Sequence, residues 1–189
     1  EAGVVKETLI PAVTRNPAVR MDFTGRLELE TTDLVAVADF IDRAVEQDGL
    51  SEKVAVSSGP DRRVFTLNCG TNAASLFLAQ LDAVWDRLES ARLLVETDRI
   101  GRPVVVNGVT TEQVRRIVAQ DGFNQRIETA RHFAMLNSID QRMPGRELLA
   151  AVDASRPEPI LTVKPRLTRP LPEDDGKVNL TIEVRSVAD

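Results

Sequence analysis

The sequence predicts an α+β fold in which an antiparallel sheet carries two helices on one face. Two observations lead to this class. Apolar and polar residues alternate in several short segments, and segments with helical spacing separate them in a βαββαβ order. The order of strand, polar cap and amphipathic helix occurs twice, in RLELETTDLVAVADFI and in VFTLNCGTNAASLFLAQL. Two right-handed crossovers of this kind place both helices on the same side of a sheet.

The first repeat begins with a strand that is buried on one face, because apolar residues alternate with polar ones between Met21 and Glu30. Asp33 is the expected N-cap of the helix that follows. The apolar positions of this helix are Leu34, Val37, Ala38, Ile41, Ala44 and Val45. Gly49 is expected to end it.

The second repeat begins with a hairpin whose strands run from about residue 53 to 57 and from 63 to 69, joined by the turn SSGPD. Thr71 or Asn72 caps the next helix. Its apolar stripe consists of Phe77, Leu81, Val84, Trp85 and Leu88. A strand from residue 91 to 97 completes the unit.

This pattern resembles the ferredoxin-like superfold over residues 21 to 97. The resemblance implies a four-stranded antiparallel sheet with both helices on one face. It implies no activity, because this superfold carries many unrelated functions. We therefore divide the chain into an extended lead-in over residues 1 to 20, a ferredoxin-like unit over 21 to 100, and a remainder over 101 to 189 that packs on it.

The remainder is predicted to be a helical extension followed by a β-hairpin. PVVVNGV is a short apolar run suited to another strand, and Thr110 with Gln113 forms a capping box for a helix. A second helix extends to about Arg142, and a short one spans residues 146 to 152. The inner positions expected in these helices are Val114, Ile117, Val118, Ile127, Ala130, Ala134 and Ile139. Alternation over residues 161 to 167 and 178 to 184, around PLPEDDGK, predicts the terminal hairpin.

Composition excludes several classes of function. The 189 residues carry a net charge of −5, contain no Tyr and are only 4% aromatic. Nucleic-acid binding relies on an excess of Lys and Arg and on stacking rings, so no nucleic-acid partner is expected. No apolar run is long enough to span a bilayer, so this segment itself makes no membrane contact. Because the chain starts at Glu1 rather than Met, we expect a fragment or a processed form, with an upstream anchor left open.

Two residues are candidates for catalysis, although no catalytic motif is present. Cys69 is the only cysteine and precedes a glycine turn into a helix, where amide groups lower the pKa of a thiol. His132 is the only histidine and therefore the only imidazole base for such a thiol. Against this reading, Cys69 continues the inward phase of Phe65 and Leu67, and a buried thiol is a common core residue. Core packing is the preferred interpretation, so the catalytic set is predicted to be empty.

Cofactor and metal sites are likewise not predicted. NCGTN lacks the lysine of a phosphate-binding loop, and the acidic run at residues 173 to 175 lacks the spacing of a calcium loop. Asp22, Glu28 and Glu30 with Arg26 form a row of mixed charge on the outer face of the first strand. Paired carboxylates can act as general acid and base, but cross-strand ion pairing is the simpler interpretation.

These features favour a non-enzymatic binding, regulatory or assembly module that has a protein partner or forms a homo-oligomer. Apolar residues on several sides of the helix over residues 123 to 142 suit burial within the domain or in a partner. The layout, with the terminal strand VNLTIEVRSV, is similar to extracytoplasmic domains of bacterial membrane-anchored proteins, such as anti-sigma regulators and secretion or pilus assembly proteins. That similarity implies a periplasmic or cell-surface location. The alternative is a small-molecule-binding or enzymatic domain that uses a pocket between the sheet and the helices.

Overall fold

The computed structural model describes residues 23–97, 101–120, 122–140 and 176–187. Within these ranges the chain forms six strands and four α-helices. The strands are β1 (Phe23–Thr31), β2 (Val54–Ser58), β3 (Arg62–Gly70), β4 (Ser90–Val95), β5 (Val104–Asn107) and β6 (Lys177–Ser186). The helices are α1 (Leu34–Gln47), α2 (Thr71–Gln80), α3 (Thr111–Val118) and α4 (Phe123–Asp140). The chain is thus of mixed α+β class, as the alternation of the two periodicities predicted.

The described strands form one open sheet in the order β2-β3-β6-β1-β4-β5. β1 and β6 are parallel, and the other neighbouring strands are antiparallel. The expected ferredoxin-like topology is therefore wrong in its strand order, because β6 lies between β1 and β3. The last strand was expected in a terminal hairpin. It is instead at the centre of the sheet, where its inner side chains Val178, Leu180, Ile182 and Val184 are all buried.

The core lies on one side of this sheet. One row of paired residues crosses five strands and consists of Phe65, Ile182, Leu27, Leu93 and Val106, each of which is fully buried. The apolar faces of α1, α2 and α3 pack on this side and join the same cluster. α4 packs on β5 and α3. Burial of side chains of this size stabilises the fold by about 1.5 to 3 kcal/mol each.

The ends of two helices confirm predicted capping signals. The Asp33 carboxylate accepts a hydrogen bond from the Ala36 amide at 3.0 Å and caps α1. Gly49 follows the end of this helix with a φ of 66°, a left-handed conformation that glycine adopts at little cost. At α3 the Thr110 side chain accepts from the Gln113 amide, and the Gln113 side chain accepts from the Thr110 amide. The first turn of each helix is therefore specified locally.

Two details of α2 differ from the predictions. The N-cap of α2 is Gly70 rather than Thr71 or Asn72, because the helix follows β3 directly. α2 ends at Gln80 and continues as a tighter 3₁₀ turn, Leu81–Arg87, whose Trp85 donates to the Val109 carbonyl at 3.1 Å.

Ile139 was expected to face inward but is exposed. Asn137 explains this, since its amide donates to the Asn107 carbonyl at 2.9 Å and turns its own side of α4 toward β5. Ile139 is two positions later, which is about 200° around the helix, so it faces away from β5.

Some predicted elements lie outside the described residues. These are the lead-in over residues 1 to 20, the helix over 146 to 152, the strand over 161 to 167 and the acidic run at 173 to 175. Among the helices that the structure describes, none has both the length and the apolar character that crossing a bilayer requires.

Candidate functional site: the open face of the sheet

The structure does not bring Cys69 and His132 together. Cys69 is buried at the end of β3, whereas His132 is exposed on α4, which packs on β5. β3 and β5 are separated by four strand spacings, or about 19 Å. The two residues therefore do not form a nucleophile and base pair. The ring of His132 contacts Phe133, with centroids 6.0 Å apart.

Cys69 borders a cavity of about 460 Å³. Its described lining comes from the paired ends of β3 and β6 and consists of Asn68, Cys69, Gly70, Lys177, Val178 and Asn179. The cavity thus opens at the strand ends and has amide, thiol and ammonium groups around it. The pocket of a small-molecule binder was expected between the sheet and the helices, whereas the described lining of this cavity is at the ends of two strands.

The face of the sheet opposite the core is mostly polar, with Val64, Leu94 and Val105 as apolar residues on it. Thr24, Arg26, Glu28, Thr66 and Asn68, the positions predicted to face outward, alternate with the buried row and lie on this face. In the described strands the outward positions carry no aromatic side chain. Stacking of nucleic-acid bases, which requires such rings, has no platform there.

The centre of this open face holds one covered carboxylate surrounded by three arginines. The side chain of Glu183 on β6 is only 5% exposed. Its Oε1 atom accepts a hydrogen bond from Arg185 Nε at 2.9 Å and lies 3.7 Å from an Arg62 nitrogen. Its Oε2 atom lies 3.9 Å from an Arg26 nitrogen. We call Arg26, Arg62 and Arg185, with Glu183 beneath them, the arginine surface.

Strand register explains this convergence. Arg62 and Arg185 are direct partners on β3 and β6, while Arg26 is paired with Thr181. Arg26 and Arg185 therefore stand on either side of Glu183 along the sheet and extend toward it from opposite directions. Only the position of β6 between β1 and β3 allows arginines of three strands to meet one carboxylate.

The charges in this cluster shift the pKa of its members. The hydrogen bond from Arg185 lowers the pKa of Glu183 below its ordinary value, and the positive charges of Arg185, Arg26 and Arg62 act in the same direction. Burial opposes this shift, but the donated bond is the larger effect. In return, Glu183 raises the pKa of Arg185. The carboxylate is therefore ionised at neutral pH.

The neighbouring charges on the face are also paired across strands. Glu28 lies 3.6 Å from Arg92 on β4, and the Glu30 carboxylate accepts a hydrogen bond from Ser90 at 2.6 Å. Cross-strand ion pairing, the simpler interpretation of this row, holds for Arg26 and Glu28, whereas Glu30 forms a hydrogen bond with a neutral hydroxyl group. Asp22, its fourth predicted member, lies outside the described residues.

Sequence reasoning missed the residues that define the arginine surface on β3 and β6. Glu183 and Arg185 occupy outward positions of a strand whose apolar alternation was recognised. That alternation therefore placed both on the polar face. It did not indicate that β6 lies beside β1. The sequence therefore could not predict that Glu183 and Arg185 lie close to Arg26.

Within the described ranges, no three His, Cys, Asp or Glu side chains are arranged to hold a metal ion. Comparison with known proteins yields no relative: no family model matches this chain, and neither a curated protein nor a solved structure is significantly similar to it.

Proposed function

We propose that this chain is a non-enzymatic binding module that contacts a protein partner through the open face of its sheet. The observation that carries the proposal is the arginine surface, where three guanidinium groups are held at the surface over one covered carboxylate. Arginine side chains are typical of recognition surfaces, because the planar guanidinium group loses less conformational freedom for each hydrogen bond that it forms.

The exposure of these groups supports the proposal. The side chains of Arg26, Arg62 and Arg185 are 54%, 64% and 46% exposed, whereas Glu183 beneath them is covered. The guanidinium groups at the centre of the sheet are therefore accessible to solvent.

In-cell photocrosslinking of the full chain tests this function. A photoreactive residue at Thr181, on the open face, should yield a discrete crosslinked protein, and the same residue at the exposed Asp39 of α1 should not. Adding Arg62→Glu should abolish the product. Products that form from Asp39 alone, or that survive Arg62→Glu, would refute binding through the open face.

A small-molecule function is the second candidate, and the cavity beside Cys69 favours it. A ligand in that cavity would contact Asn68, Asn179 and Lys177, which supply both donors and acceptors. It would also protect the Cys69 thiol from alkylation. Protection by a metabolite extract, with the Thr181 crosslink absent, would select this function over the first.

A further inference from the structure

The arginine surface also specifies the chemistry of its ligand. We infer that the partner presents an acidic protein segment to Arg26, Arg62 and Arg185. This inference rests on the proposed function, because it names the partner chemistry of the same face.

The hydrogen-bonding capacity of the surface supports an anionic ligand. Each guanidinium carries five N–H donors, and the Glu183 carboxylate accepts one hydrogen bond, from Arg185 Nε. The nitrogens of Arg62 and Arg26 are 3.7 and 3.9 Å from this carboxylate, which is an ion-pair distance and too long for a hydrogen bond. Glu183 therefore does not use the hydrogen-bond donors of these two side chains. A carboxylate can accept two such donors at once.

The local charge points the same way. Four arginines, with Arg92 counted, face the three carboxylates of Glu183, Glu28 and Glu30, which leaves a local charge of +1 around the arginine surface. The nearby Glu28 is balanced by Arg92. A carboxylate of the ligand neutralises this excess positive charge. Electrostatic complementarity of this kind sets partner choice and association rate.

An acidic protein fits these observations better than a nucleic acid does. The chain as a whole has a net charge of −5, which repels an extended polyanion, while a short acidic segment interacts mainly with the local positive charge. The outward positions beside the surface include Thr66, Thr181, Val64, Glu28 and Leu94, none of which provides a ring for stacking.

Fluorescence anisotropy with a labelled oligoglutamate peptide tests the inference on the full chain. Arg62→Gln should weaken binding by about fivefold or more. Arg116→Gln is the matched control, because Arg62 and Arg116 are both 64% exposed and each pairs with one glutamate. The control should bind like the parent chain. Binding should also weaken as the salt concentration rises.

Several outcomes would overturn the inference. The first is an equal loss of affinity for oligoglutamate in Arg62→Gln and Arg116→Gln, and the second is no loss of this affinity in Arg62→Gln. The third is an oligonucleotide that binds the parent chain more tightly than oligoglutamate does and binds Arg62→Gln more weakly than the parent. Loss of binding is interpreted only if Arg62→Gln retains the unfolding midpoint of the parent. If oligoglutamate does not bind but the Thr181 crosslink forms, only the inferred chemistry of the partner is wrong. If neither oligoglutamate binding nor the Thr181 crosslink is observed, the proposed function is wrong as well.

Discussion

Replacing Glu183 with glutamine removes a negative charge from beneath three arginines while keeping the size of the side chain. Glutamine can still accept a hydrogen bond from Arg185, so the loss is the difference between a charged and a neutral bond, about 1 kcal/mol. The two longer ion pairs, with Arg26 and Arg62, involve half-exposed partners and add about 0.5 kcal/mol together. We expect the free energy of unfolding to fall by about 1.5 kcal/mol at neutral pH.

The pH dependence of this loss follows from the direction of the pKa shift. The folded-state pKa of Glu183 lies below its unfolded value, so the ionised carboxylate stabilises the fold above the unfolded pKa. That contribution disappears as the pH falls through the lower folded-state pKa, where the parent chain also carries an uncharged side chain. The stability difference between parent and Glu183→Gln should therefore be full at neutral pH and shrink progressively below about pH 4.5.

Urea unfolding followed by the fluorescence of Trp85, the single tryptophan, measures both effects. Glu112→Gln serves as the control, because Glu112 also pairs with two arginines, Arg115 and Arg116, but is exposed. Its substitution should cost only about 0.5 kcal/mol. The reasoning is refuted if Glu183→Gln costs no more than Glu112→Gln at neutral pH, or if its cost is the same at every pH.

Three further substitutions test other parts of the account. Asp33→Ala removes the side-chain acceptor of the Ala36 amide and should lower the free energy of unfolding by about 1 kcal/mol, measured by urea unfolding; an unchanged midpoint would contradict the cap. Gly25→Ala places a Cβ atom 2.8 Å from the ring of Phe23, so thermal unfolding should show that the free energy of unfolding falls by about 1 to 3 kcal/mol. A variant more stable than the parent would show that the Phe23 ring moves aside without cost. Cys69→Ser buries a hydroxyl and should lower stability by about 1 to 2 kcal/mol while oligoglutamate binding stays the same; impaired binding would connect the cavity to function.

Local elements were predictable because their signals are local. The alternation around Phe65 and Leu67 placed these residues inward, and the Asp33 and Thr110 caps identified two helix starts. These features depend on side chains within one turn or one strand. The polar outer positions of β1, β3 and β6 were predictable for the same reason, since alternation separates the two faces of these strands.

The order of the strands was not predictable in this way. Alternation determines which face a residue occupies, but it does not identify the neighbouring strand. β6 pairs in parallel with β1 across more than 140 residues of chain, and both strands have the same apolar alternation as the others. The meeting of Glu183 with Arg26 and Arg62 depends entirely on that pairing. The candidate site could therefore be assigned to a face, but its composition required the fold.

Two-dimensional NMR of the isotope-labelled full chain, titrated with oligoglutamate, tests the central claim most directly. The backbone amides of Arg26, Arg62 and Arg185 should shift together, with a common saturation curve, because they surround one binding position. Amides of the exposed Asp39 on α1 and Leu136 on α4 should remain in place. Shifts confined to α4, with the three arginine amides unmoved, would contradict the assignment of the binding surface to the open face.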